Sequence, residues 1–214
     1  MILRLLPALL LATAAAAQTP APAPASPPAA AEVPPPEAPK PLGPRVVLNT
    51  ADGPITIELD MVHAPITAGN FLKYVEQKRF DGMTFYRAYK VPGDAPWGLI
   101  QGGTRGLSTK QLPPIPHEPT SKTGLSHMTG AVSMARGAPG SAAGDFFIII
   151  GDLRPLDATI QDPGYAVFGQ VVEGMDAVVK ILIEPTSATQ GEGAMKGQMI
   201  EKPVVISSAK KLKP

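Results

Sequence analysis

The types and spacing of the side chains that could attack or ligate narrow the chemistry of this sequence. Cysteine is absent, which excludes disulfides, thiolate catalysis and cysteine-held metals. The three histidines, His63, His117 and His127, share no ligand spacing, so ordinary loop histidines and no metal are expected. Gly137, Gly140 and Gly144 have no lysine behind them and lead into an apolar run rather than a helix, which rules out a phosphate cradle. Ser141 lacks the elbow motif of a nucleophile. Arg87 in Phe85-Tyr86-Arg87 and Gln101 in Leu99-Ile100-Gln101-Gly102-Gly103 are polar residues within short strand-like runs. Arginine carries a permanent charge and a planar fork of donors, suited to holding oxygen or nitrogen lone pairs in a fixed geometry. Alone on a strand, such a residue is a surface charge; its company decides whether it is more.

The elements that would position these groups can be read from periodicity. The organising stretch is 130–152, GAVSMARGAPGSAAGDFFIIIGD. A short apolar run enters a glycine-rich turn and returns as Phe146 to Ile150, a strand buried on both faces or lining a packed interior. Phe146 and Phe147 must point to opposite sides of that strand, so only one can face a site. Upstream, 46–49 and 55–59 have strand composition around the turn Ala51-Asp52-Gly53-Pro54, which predicts a hairpin. Pro65 in a first turn, with Ala68, Phe71, Leu72 and Val75 on one face, predicts a helix. Further strands are expected at 85–87, 99–102 and 165–171. Met175, Val178, Val179 and Leu182 follow the i, i+3, i+4, i+7 rule of a second helix, and 204–208 supplies a last strand. The segment 104–127, with Pro113-Pro114 and Pro116, is expected as an ordered excursion without regular structure. About eight short strands and two helices imply a closed or two-layered β structure, and periodicity does not separate a barrel from a sandwich.

Composition bounds the rest. Lys+Arg 19 against Asp+Glu 18 gives no basic field for nucleic acid and no basic amphipathic helix for a membrane surface. Arg4, the apolar run 5–14 and Ala15-Ala16-Ala17 before Gln18 have the form of a signal peptide at 1–17. That run is too short to span a bilayer and contains Pro7, so an exported, periplasmic protein without an integral membrane span is expected. Residues 18–44 are rich in alanine and hold eleven of the 26 prolines; such a segment buries no core and reads as a disordered linker. One folded domain over 45–214 follows.

Several short motifs in fixed order are far more specific than any one. Phe85-Tyr86-Arg87, Leu99 to Gly103, Ser133-Met134-Ala135, Asp145-Phe146-Phe147-Ile148 and Val167-Phe168-Gly169 occur in the order and rough spacing of the cyclophilins. The sequence therefore resembles cyclophilin-type peptidyl-prolyl isomerases from about 45 to 210, and 64–71 is similar to their first helix. The resemblance implies a mainly β fold, an eight-stranded closed antiparallel barrel capped by two α-helices. It implies isomerisation of Xaa-Pro bonds in proline-containing polypeptides, with no cofactor, and a monomer is expected.

It also implies roles. Arg87 takes the position of the catalytic arginine, and Gln101 that of the glutamine which orients it or the substrate backbone. Leu99, Phe147 and Leu156 match the proline pocket, while Ala135 and the backbone of Arg136 match residues that pair with the substrate chain. Four positions depart from the family pattern. Tyr165 replaces histidine, as in bacterial members; Asp145 stands where glutamine is common; Pro155 replaces tryptophan. Gly98 replaces a pocket phenylalanine, an opening that Trp97 beside it could wall with its indole. Residues 90–98 are longer than usual. Intact Arg87 and Gln101 favour an enzyme; Gly98 and the insertion favour a proline-segment binding module or chaperone with little catalysis.

Overall fold

The computed structural model describes residues 43–93 and 95–213. The leader at 1–17 and nearly all of the linker at 18–44 lie outside the described residues. Strands β1 (Arg45–Thr50) and β2 (Gly53–Leu59) form the expected hairpin around Ala51 and Asp52, with Thr50 opposite Gly53. Helix α1 (Pro65–Glu76) begins on its proline, whose missing N–H costs nothing in a first turn. Strands β3 (Thr84–Lys90) and β4 (Gly98–Gly103) are joined by the insertion. The long excursion that follows contains one helical turn, α2 (Thr120–Thr123). Strands β5 (Ala131–Met134), β6 (Asp145–Ile150) and β7 (Ala166–Glu173) lead into α3 (Met175–Ile183). The two-residue β8 (Thr186–Ser187) and the long β9 (Met199–Lys211) complete the chain.

The strands run β1-β2-β7-β5-β6-β4-β3-β9, and β1 pairs with β9, which closes an eight-stranded antiparallel barrel with β8 appended outside β9. Closure removes the edges that an open sheet would expose. It also settles barrel against sandwich, and the two longer helices flank the barrel as expected.

The interior is full. Phe71 of α1 meets Phe80, Phe146 and Phe168 at ring-centroid distances of 4.9, 5.1 and 5.1 Å. Ile148 and Ile150 follow Phe146 on the same inward face of β6. The buried stripe of α3 is Val178, Ile181 and Leu182, one step round from the expected stripe, with Met175 and Val179 only partly covered. On the outer surface Leu99, Ala131, Phe147, Ile149 and Val167 form a second apolar cluster, bordered by Tyr89, Leu153, Leu156 and Tyr165. That cluster is the floor of the site.

Candidate active site

Antiparallel pairing sets Arg87 of β3 opposite Gln101 of β4, and Gln101 opposite Phe147 of β6. Side chains alternate across a strand, so all three leave the barrel on one side. The choice between the adjacent phenylalanines follows: Phe146 is inside among Phe71, Phe80 and Phe85, and Phe147 faces out.

Arg87 is held by two glutamines from opposite neighbours. Its Nε donates to Gln198 Oε1 at 2.8 Å and its Nη1 to Gln101 Oε1 at 2.7 Å. Two bonds to a planar guanidinium fix both its position and its plane. Among the described residues no hydrogen bond engages Nη2, the end left for a ligand. Burial draws the Arg87 pKa below arginine's usual value, partly opposed by Tyr86, Tyr165 and Tyr89; the group stays charged at physiological pH.

The Gln101 amide is itself oriented. Its Nε2 donates to the Tyr86 hydroxyl at 2.8 Å, and that hydroxyl donates to Asp145 Oδ1 at 3.3 Å. A carboxylate only accepts, so Tyr86 must give its proton to Asp145 and receive from Gln101, which turns Oε1 of the amide toward Arg87. Burial and the Asp145 charge push the Tyr86 pKa well above a free tyrosine's, so the hydroxyl remains a donor. Asp145 is stabilised from the other side by the Arg105 backbone N–H at 2.7 Å, although burial raises its pKa overall.

These groups open onto a cavity of about 860 Å³. Every residue expected at a site lines it: Arg87, Gln101, Leu99, Ala135, Arg136, Phe147, Leu156, Tyr165 and Trp97. Phe147 and Tyr165 meet edge to face at 5.3 Å, which makes an apolar corner with Leu156. Arg136 lies over the Tyr165 ring at 5.0 Å, and its guanidinium is occupied by Gly164 O, Gly137 O and Asp162. Its side chain is thus a brace for the loop, leaving its backbone at the cavity rim.

Two expectations need correction. Gly98 does not open the pocket: a Cβ there would meet Tyr89 O at 1.9 Å and Leu182 on the inner side, away from the cavity. Trp97 supplies its wall through another glycine. A Cβ on Gly151 would come within 2.6 Å of the indole Cγ, so the ring lies directly against that backbone. His127, expected as an ordinary loop histidine, is fully buried beneath the site. Its ring stacks on Phe147 at 5.9 Å and 14°, Nδ1 is 2.5 Å from Asp157 Oδ1, and Nε2 is 2.9 Å from Ser133 Oγ. Asp157 also accepts from Ser126 Oγ and the His127 N–H. This cluster ties the 153–157 segment, which carries Leu156, to the strand under Phe147.

The sequence reading missed Gln198, Ala194, Met195, Tyr89 and Val91, all on the cavity wall. The first three belong to a turn-rich segment without periodicity, so only their distant partners reveal them.

Comparison with known proteins gives a consistent result. The family described as cyclophilin type peptidyl-prolyl cis-trans isomerase/CLD matches residues 45–211. Peptidyl-prolyl cis-trans isomerase A of Dickeya dadantii is 38% identical over 173 residues, covering 78% of this chain and 84% of its own. A peptidyl-prolyl cis-trans isomerase of Streptomyces antibioticus is 41% identical over 172 residues, covering 77% and 96%. Among solved structures, a cyclophilin type isomerase of Cryptosporidium parvum, determined in the presence of the dipeptide Ala-Pro, superposes with a TM-score of 0.64. It is 20% identical, and the match covers 79% of this chain and 99% of that one.

Proposed function

This chain belongs to the cyclophilin-type peptidyl-prolyl cis-trans isomerases, and from that premise we propose that it turns Xaa-Pro bonds in exported polypeptides, with Arg87 as the donor that stabilises the twisted imide. A peptide C–N bond resists rotation because twisting breaks its resonance, at a barrier of roughly 18–20 kcal/mol. As conjugation is lost the prolyl nitrogen gains a lone pair and becomes a better acceptor. A donor placed there binds the twisted form more tightly than the planar one, which is the condition for catalysis. No nucleophile is required.

The observation that carries this reading is a guanidinium fixed at Nε and Nη1, with Nη2 unengaged, at the mouth of an apolar cavity. Phe147, Leu99, Leu156 and Tyr165 would hold the proline ring, with Trp97 walling the cavity beyond them. Ala135 and the Arg136 backbone would pair with the flanking chain, and Gln101 would keep Arg87 in plane. The test is cis-to-trans conversion of a prolyl tetrapeptide by the domain and by Arg87→Ala. Turnover that disappears in the variant supports the reading; unchanged turnover removes Arg87 from it, and binding without rate enhancement would make the protein a proline-segment binding module.

Export is supported by Arg4, the apolar run 5–14 and Ala15-Ala16-Ala17, which form a secretory leader. A role in folding exported clients follows from that location. The full chain expressed in a Gram-negative host is expected in the periplasm with Gln18 as its first residue. Retention in the cytoplasm with Met1 intact would refute it.

A further inference from the structure

The cavity is far larger than a proline ring, and its shape is directional. Asp145, Phe147 and Ile149 succeed one another along β6, opposite Gly103, Gln101 and Leu99 of β4. Ala135, whose N–H bonds Asp145 O at 2.9 Å, therefore lies at one end of the groove. Phe147, Gln101 and Arg87 occupy its middle. The other end is formed by Leu99 and its partner Tyr89, then by Trp97 and Val91, which are tied by Val91 N–H to Trp97 O at 2.9 Å. At about 3.3 Å per residue, Leu99 lies roughly 7 Å and Trp97 roughly 13 Å beyond Gln101.

This far end is a slot. Tyr89 and Leu99 pair across it, and Trp97, which precedes β4, and Met195, which precedes β9, line the same cavity. Trp97 is 47% and Met195 38% exposed. Single exposed apolar residues call for no explanation, but two large ones lining one continuous cavity do. Both stand on segments outside the barrel strands: the insertion after β3 and the turn before β9, which also brings Gln198 to Arg87.

We propose that this slot is a second substrate-binding subsite, which takes an aromatic or long aliphatic side chain two or three residues from the proline, on the flank away from Ala135. It rests on the isomerase reading above and adds to it a substrate class: proline segments with a nearby large apolar residue, as unfolded chains expose. The occupant is chosen by the lining, which offers ring faces and a thioether; Asp152, which follows Gly151 on the same wall, is paired with Arg154 at 2.6 Å.

Trp97 is the only tryptophan in the chain, so it reports on its own slot. Ala-Pro peptides carrying a single Phe or Ala, two or three residues from the proline on either flank, would be compared by isomerisation rate and by Trp97 emission. Phe on one flank only is expected to raise kcat/KM about tenfold, the factor that corresponds to about 1.4 kcal/mol, and to shift the emission to the blue. Met195→Ser and Trp97→Ala are each expected to bring the Phe-to-Ala rate ratio close to one. Arg87→Ala is expected to keep the emission shift while turnover is lost. Turnover of every peptide with no Phe preference on either flank, or a preference that survives both variants, overturns the subsite and leaves the isomerase reading standing. An emission shift without turnover in the native protein does the reverse.

Discussion

Replacing Arg87 by lysine separates charge from geometry. The native guanidinium spends Nε on Gln198 at 2.8 Å and Nη1 on Gln101 at 2.7 Å, and on the proposed reading Nη2 meets the substrate. Lysine has one nitrogen for all three tasks, and it keeps the charge but not the plane. Removing a preorganised donor altogether typically costs about 10²–10³ in kcat, which is the loss expected for Arg87→Ala. A lysine that donates from an unfixed position forfeits about one charge-assisted hydrogen bond, about 1.5–3 kcal/mol, so Arg87→Lys should fall about 10- to 100-fold. Peptide affinity should change little, because Phe147, Leu99, Leu156 and Tyr165 are untouched. Exchange spectroscopy by NMR on an Ala-Pro peptide that carries Phe on the Trp97 flank gives the rate at equilibrium, and Trp97 emission gives the affinity. Lysine within twofold of the native rate would show that position is irrelevant. An affinity loss equal to the rate loss would show that Arg87 binds the planar substrate as well as the twisted one.

Tyr86→Phe removes the hydroxyl that orients Gln101 and should lower kcat about fivefold, one neutral hydrogen bond's worth of about 1 kcal/mol, with affinity unchanged; an unaltered kcat would mean that Gln101 needs no such support. Gly144→Ala sets a Cβ 2.6 Å from the Tyr74 ring and 2.7 Å from Thr104 Oγ1, an overpacking of about 1–3 kcal/mol, visible as a drop in Tm of roughly 3–10 °C. Burial holds the His127 pKa below the usual histidine value despite Asp157, so the neutral ring's contribution to stability is complete above a pH of about 6.5 and is lost as pH falls through the folded-state pKa. Asp145, whose pKa is raised, works in the opposite sense. The contribution of His127 is therefore read as the difference between native and His127→Gln melting curves from pH 7 to 5, and parallel curves would refute it.

What the sequence disclosed follows from the range of each interaction. The hairpin at Ala51-Asp52, Pro65 opening a helix and the apolar run of β6 are local signals, and all are present where expected. Arg87 and Gln101 were legible as a pair because they lie in strands adjacent in sequence, 14 residues apart. Gln198 was not: it reaches Arg87 across 111 residues from a turn-rich segment that has no period. His127 failed for a related reason. It looks like a loop residue until the fold stacks Phe147 on the imidazole, and only then does the Asp157 carboxylate become a partner for a buried ring. The Gly98 reading failed through geometry, because a position named by alignment with a pocket residue can still face inward once strand alternation is applied.

With Arg87 as the proposed donor and Trp97 in the proposed subsite, a reaction that breaks no covalent bond puts an unusual demand on a fold: rigidity at one cation and adaptability roughly 13 Å away along β4. The barrel meets the first demand by placing Arg87 between two strands, each lending or leading to a glutamine, above a packed interior that leaves no room for side-chain rearrangement. The second falls to Trp97 and Met195, which stand on connections outside the closed ladder. Substitutions inside the barrel should therefore move Tm while kcat/KM for an Ala-flanked peptide stays level until the domain melts. Substitutions on the two connections should change which peptides are preferred at nearly constant Tm, and an interior variant that altered preference without altering Tm would break that division of labour.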